Sequence, residues 1–240
     1  MPDQWPDHFD IEKSPEADLF FGFIQQGMES LKALDEKRAK WARQNLPADY
    51  ELTYIFHEHA ERVARDVENT ALYLGLGDIV ARNLYWAMLP HDIGKALLPV
   101  NIWDTIEKPD GHLKQLRRSH TDLGVQYTAP RLPEDHPFTA LMLDIMQSHH
   151  ENMDGSGFHG TKGEHLSLPV RLACIVESFD GYRIRRPHFG SRDISTAGVL
   201  ERMRHEKGAD FYDMDLFEAF ASMKQQASTQ QETTQTTAKG

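Results

Sequence analysis

Apolar residues recur at three- and four-residue intervals through most of this chain, and no stretch alternates apolar and polar residues between turn signals. That period restricts the chain to helices packed on helices, so an all-α fold is predicted. From about Glu16 to Arg43, the series Leu19, Phe23, Met28, Leu31 and Leu34 predicts one or two amphipathic helices. Residues 1–50 are thus read as an N-terminal helical segment packing beside the main domain. Pro47-Ala48-Asp49 breaks the pattern, and a second run from near Leu52 passes through Val63, Val67, Ala71 and Leu74 to a stop at Gly75-Leu76-Gly77. His59 falls on the buried face of that run. A third helix is expected over residues 78–89, where Pro90 removes an amide donor and disfavours helical backbone at Leu89, so His91 and Asp92 follow a kink. Ser119 and Asp122 predict a capping box around His120. The stripe Phe138, Leu141, Met142, Ile145 and Met146 ends at His149. A nearly all-apolar helix over 169–182 carries Glu177 and Asp180 on one face with Ala173. Residues 51–224 make the main domain, and the Gln-, Ser- and Thr-rich residues 225–240 are predicted to be disordered.

Composition narrows the functional classes. A chain of 240 residues holds one substantial core, and it lacks an apolar run near the ~20 residues of a membrane span. The acidic start, with Trp5 and Phe9 but no apolar h-region, indicates neither a signal nor a transit peptide. A formal net charge of -11 disfavours non-specific binding to nucleic acid or to an anionic membrane. Cys174 is the single cysteine, which excludes a disulfide framework and thiolate zinc sites and points to a reducing compartment, the cytoplasm.

The chemistry is concentrated in histidines and carboxylates. His91 and Asp92 are adjacent, and together they offer a metal an imidazole nitrogen and a carboxylate able to bridge to a second ion. His59 precedes them; His120, the pair His149-His150, and Glu177 with Asp180 follow. Imidazole and carboxylate together suit Zn, Fe, Mn or Ni better than Ca or Mg, and a bridged pair of such ions suits phosphate ester chemistry. With 13 histidines in the chain, core histidines bonded to backbone carbonyls are the alternative for each position. His57, two residues from His59, falls on another face and is expected to be partly exposed. Burying Glu177 and Asp180 on an apolar helix requires a cation for at least one of them, a metal or an arginine.

Taken together, the pieces resemble the HD-GYP branch of the HD-domain metal-dependent phosphohydrolases. They are His59 with Arg62-Val63, His91-Asp92-Ile93-Gly94-Lys95, His120 with Gly124, His149-His150-Glu151 with Asp154-Gly155-Ser156-Gly157, and Glu177-Ser178-Phe179-Asp180 with Arg186-Pro187. The resemblance covers roughly Leu52 to Ala221. It implies an HD-domain helical bundle, with the N-terminal helices as an extension, and hydrolysis of a cyclic dinucleotide, cyclic di-GMP foremost. It also implies two divalent transition-metal ions. One would be held by His59, His91, Asp92 and Glu177, and Asp92 would bridge to a second at His120 and His149 or His150. Asp180 joins the candidate ligands. Lys95 would reach the phosphate or the leaving oxygen, with Asp92 the other catalytic residue. Gly157, Arg183 and Arg186 are candidate substrate contacts, although the run Arg183-Ile184-Arg185-Arg186 is equally a solvated helix end.

Departures from the branch mark its weak points here. Gly157-Phe158-His159 stands where the branch has Gly-Tyr-Pro, Glu177 replaces an aspartate, His188 replaces a tyrosine, and Ile55 occupies the place of a glutamate that assists a third metal. Two other functions therefore stand beside the first. One is an HD-type hydrolase of another nucleotide or phosphorylated metabolite; the other is an inactive binding module acting on a signalling protein partner. On this reading, Phe158→Tyr with His159→Pro should raise activity, because the proline would restrict the loop and the phenol would return a hydrogen-bonding group.

Overall fold

Asp35, in the middle of the first long helix, decides where the second one starts. In the computed structural model α1 spans Ala17–Asn45 and α2 spans Phe56–Tyr73. The residue preceding α2 is Ile55, which has no side-chain cap to offer. The Asp35 carboxylate takes that role from α1, accepting from the amides of Phe56 and His57, each at 3.0 Å. The run that sequence starts near Leu52 thus begins later, at the residue whose amide meets a carboxylate brought by another helix. Asp35 also accepts from Arg38, which is 1% exposed, lies over the Phe56 ring and donates twice to Asp104 at 2.9 Å. This buried, fully paired network ties α1, the start of α2 and the segment after Trp103 together. His57 is half-buried, with Nδ1 2.8 Å from Asp35.

The structure describes the backbone of residues 4–185 and 191–237, and side chains up to Ala227. Its remaining helices are α3 Asp78–Met88, α4 Gly111–Arg118, α5 His120–Thr128, α6 Pro137–Ser148, α7 Leu168–Arg183, α8 Thr196–Arg202, the single turn α9 Gly208–Phe211, and α10 Met214–Thr237. Among the described residues there is no strand. The fold is an all-α bundle, as predicted. No helix among the described residues is long and apolar enough to cross a membrane.

One main core joins Val63 and Val67 of α2, Leu84 and Met88 of α3, Phe138 and Met142 of α6, Ile175 and Phe179 of α7, and Phe217 and Phe220 of α10. Ile11, Phe20, Phe23 and Ile24 enter that same core, so the N-terminal residues complete the bundle where a segment lying beside it was expected. The stripe on α1 runs through Phe20, Phe23, Ile24, Leu31 and Leu34, while Leu19 is 49% exposed. With apolar neighbours at 19, 20, 21 and 23, periodicity alone left the facing residue ambiguous. At the other end α10 continues to Thr237, through most of the segment whose composition predicts disorder. Extending an anchored helix costs little beside starting one, so a polar continuation can follow the buried turn at Phe217 and Phe220.

Pro90 acts as expected. α3 stops at Met88, and after it the chain makes a tight turn into a 3-10 segment at Ile93–Leu97. Gly94 lets this turn lie directly on α5: a Cβ there would sit 1.8 Å from the carbonyl oxygen of His120. That approach brings His91 and Asp92 beside His120. The capping box at His120 does not form. Ser119 turns its hydroxyl back to the Leu116 carbonyl at 2.7 Å, since its own backbone is already helical and cannot serve as an extended N-cap.

Candidate metal centre

Four histidines converge from α2, the turn after α3, the start of α5 and the end of α6. Each uses its outer ring nitrogen to bond the scaffold. Nδ1 lies 2.7 Å from an Asp180 oxygen in His59, 2.8 Å from the Met88 carbonyl in His91, 2.7 Å from the Arg117 carbonyl in His120 and 3.0 Å from the Ile145 carbonyl in His149. Acceptors at Nδ1 place a hydrogen there and fix the ring, so that Nε2 faces inward. His59, His91 and His149 are at most 1% exposed, and His120 is 3% exposed.

The inward nitrogens surround Asp92, which is fully buried. One oxygen, Oδ2, is 3.4 Å from His91 and 3.6 Å from His59. The other, Oδ1, is 3.2 Å from His120 and 3.7 Å from His149. Glu177 from α7 closes the first group, with Oε2 2.9 Å from His59 and 3.4 Å from His91. Its second oxygen is 4.0 Å from Nε2 of the half-buried His150. Two ligand groups share Asp92: His59 and His91 on one side, and His120, His149 and His150 on the other.

These donors fit a divalent metal. Nε2 of His59 and of His91, Oδ1 of Asp92 and Oε2 of Glu177 are buried without a hydrogen-bond partner, an arrangement that costs free energy unless a cation satisfies it. In the tautomers their Nδ1 bonds select, His120 and His149 aim lone pairs at each other across 3.3 Å. A shared cation removes that repulsion. Electrostatics agree. Burial opposes a proton on His91, but the Asp92 and Glu177 carboxylates outweigh it and raise its pKa to about 10; His59 is raised by Glu177 and Asp180 against the same burial. Although burial opposes their ionisation, Asp92 is held well below the usual carboxylate range by Lys95 and His91, and Glu177 by His59 and His91. Burial and the neighbouring His150 and His91 keep His149 neutral.

Other candidates are placed differently. Asp180 is not among the inward atoms: one oxygen receives His59 Nδ1 and the pair together receive the Arg62 guanidinium at 2.7 and 2.9 Å. It stands behind His59, because a step of three residues on α7 carries it past the inward nitrogens to the Nδ1 side of that ring, where Arg62 also reaches it. Lys95, 5% exposed, forms an ion pair with Asp92 and lies over the rings of Phe56 at 4.7 Å and Tyr54 at 5.3 Å. Arg183 is exposed and turns to the Phe179 ring, away from the cavity over the centre, whose lining takes Arg185 instead. Arg186 and His188 lie outside the described residues. Gly157 serves packing: a Cβ there would lie 2.4 Å from the Glu151 Cα. Cys174 is buried, with its thiol on the Ser148 carbonyl.

Sequence reasoning places Arg62 and Glu151 among the motif residues but gives neither a role. Arg62 was legible, since three residues after His59 puts it on the same helical face. Glu151 was not. It is 2% exposed, and its carboxylate accepts from the backbone amides of His159 at 2.6 Å and Thr161 at 2.7 Å, pinning the loop. On that loop the Phe158 ring lies 4.4 Å from that of His150, tilted by 31°, and His159 reaches Thr121 at 3.0 Å and Gln147 at 2.8 Å. The proline favoured on sequence grounds at 159 would delete an amide that Glu151 uses.

Comparison with known proteins agrees with this geometry. The HD domain family matches residues 51–216, and the chain belongs to it. It is 30% identical over 175 residues to the 3'3'-cGAMP-specific phosphodiesterase 1 of Vibrio cholerae, across 70% of this chain and 38% of that protein. It is 26% identical over 175 residues to a cyclic di-GMP phosphodiesterase of Thermotoga maritima, across 71% of this chain and 45% of that one. The matched region thus spans less than half the length of these relatives. Among solved structures, an HDG"Y"P protein from Bdellovibrio bacteriovorus is similar in fold, with a TM-score of 0.60 at 15% identity, covering 92% of this chain and 74% of that one.

Proposed function

We propose that this chain is a metal-dependent phosphodiesterase that hydrolyses a cyclic dinucleotide, cyclic di-GMP foremost. The observation that carries the reading is the division of the Asp92 carboxylate, whose two oxygens face two separate pairs of inward imidazoles. His59, His91, Asp92 and Glu177 would hold one ion, and Asp92, His120, His149 and His150 the other, drawn from Fe, Mn, Ni or Zn. When bound, such a pair supplies Lewis acidity that makes a water a nucleophile at neutral pH and draws charge from phosphoryl oxygens.

The chain's own groups position and neutralise. Asp180 and Arg62 hold the His59 ring so that Nε2 stays inward. Lys95 lines the cavity over the centre, where its ammonium can neutralise charge on the phosphate and give a proton to the leaving oxygen. Burial of the cluster strengthens each of these interactions by keeping bulk water away. The relatives named as cyclic dinucleotide phosphodiesterases support the substrate class, and the single buried cysteine suits the reducing cytoplasm.

The test is metal analysis of protein purified without oxygen, followed by chromatography of its products from cyclic di-GMP. Wild type should hold two ions per chain and release a linear product. Asp92→Ala, which removes a ligand from both groups, should lose both ions and the activity. Full metal content and turnover in that variant would refute the assignment.

A further inference from the structure

The cavity above the centre is furnished for more negative charge than one phosphoryl group carries. It encloses about 510 Å³. Lys95, His120, His150 and Glu177 face it, and so do Lys108, Lys114, Arg118 and Arg185. The last four side chains have no hydrogen-bond or ion-pair partner among the described residues. Several cations elsewhere in this acidic chain are matched with carboxylates: Arg65 with Glu68, Arg82 with Asp10, Arg204 with Glu218 and Lys224 with Asp66. Arg117, adjacent to Arg118, is spent on the carbonyls of Ile102 and Trp103 and fixes the loop that precedes α4. Unmatched cations gathered at one cavity create a local positive potential that a net charge of -11 would not suggest.

Arg118 is the best organised of them. Its guanidinium carbon lies 4.8 Å from the centre of the Phe158 ring, and that ring lies 4.4 Å from His150. The stack holds a planar cation at a fixed remove from the metal ligands, with its N–H groups uncommitted. Holding it there in advance reduces the rotamer entropy lost on binding an anion.

We propose that Arg118, with Lys108 and Lys114, forms a distal anion subsite that reads the second phosphate of a two-phosphate substrate while the scissile phosphate lies over Lys95. This rests on the hydrolase reading and adds to it a determinant of substrate choice. A cyclic dinucleotide carries two phosphodiester anions and engages both ends of the cavity. A mononucleotide or a simple diester carries one and leaves the distal cations unused.

The experiment compares kcat/KM for cyclic di-GMP and for bis(4-nitrophenyl) phosphate, at matched metal content, in wild type, Arg118→Ala and Arg118→Lys. The ratio of the two should fall about tenfold in Arg118→Ala, mainly through KM for cyclic di-GMP, and recover in part in Arg118→Lys. Equal losses on both substrates would mean that Arg118 only braces Phe158 and His150, and an unchanged ratio would mean that no subsite exists; either overturns the proposal while the hydrolase reading stands. If wild type turns over neither substrate, the hydrolase reading fails and calorimetric binding of cyclic di-GMP decides the subsite. Affinity about tenfold weaker in Arg118→Ala upholds it, and unaltered or absent binding overturns it.

Discussion

Replacing His159 by proline should weaken the loop beside the metal centre, the opposite of what its family resemblance suggests. The amide of His159 donates to Glu151 at 2.6 Å, and Glu151 is 2% exposed. A proline has no such hydrogen, so one oxygen of a buried carboxylate would lose its partner. Hydrogen bonds to charged groups contribute about 1.5–3 kcal/mol, and the desolvated oxygen left behind keeps the cost near the upper end. The side-chain bonds to Thr121 and Gln147 add less, since the imidazole is part-exposed. His159→Ala is the control, because it removes the ring and keeps the amide. The assay is urea unfolding of both variants beside wild type, with metal content measured in each. His159→Pro should lose about 2–3 kcal/mol and His159→Ala less than about 1 kcal/mol. The double variant Phe158→Tyr, His159→Pro should then turn over cyclic di-GMP more slowly than wild type. The reasoning is refuted if the proline variant matches the alanine variant in stability, or if the double variant is faster.

Lys95→Ala should bind metal at least as well as wild type, because it removes a cation competing for Asp92, while hydrolysis falls about 100-fold or more; parallel loss of metal and activity would mean that Lys95 supports the fold. Asp180→Asn should lower metal affinity about 10–100-fold, as expected when the group orienting a ligand histidine is altered, and an unchanged affinity in a chelator competition would remove its positioning role. Metal uptake should be coupled to proton release. His91 has its pKa raised to about 10 and His59 is raised too, so at neutral pH a metal must displace the His91 proton, and affinity should climb as pH rises towards 10 and drop in acid. Calorimetry in two buffers of different ionisation heat counts those protons at pH 7, and a count of zero would contradict the assigned ligands.

Much of the candidate site was legible because its members are ordered along the chain at helical spacings. His59, His91, Asp92, His120, His149, His150 and Glu177 were all named from sequence, and the structure brings them into one cluster. Asp180 was grouped with them because i and i+3 residues share a face, but a shared face spans enough arc for one residue to meet the cluster and the other to pass behind His59. The start of α2 was misjudged for a related reason: its cap, Asp35, lies 21 residues away on another helix.

By itself, then, the order of residues determined the helical class, the break at Pro90 and the inventory of ligands, because each depends on local period, backbone restriction or side-chain chemistry. The tertiary structure alone decided which oxygen of Asp92 faces which histidines, that Glu151 holds the loop by its backbone amides, and that Arg118 rests on Phe158 over the cavity. The first and last of those relations join elements far apart in the chain through the packing of whole helices, and no local pattern encodes the angle at which two helices meet. The second, though it spans only eight and ten residues, depends on a loop conformation that no period encodes.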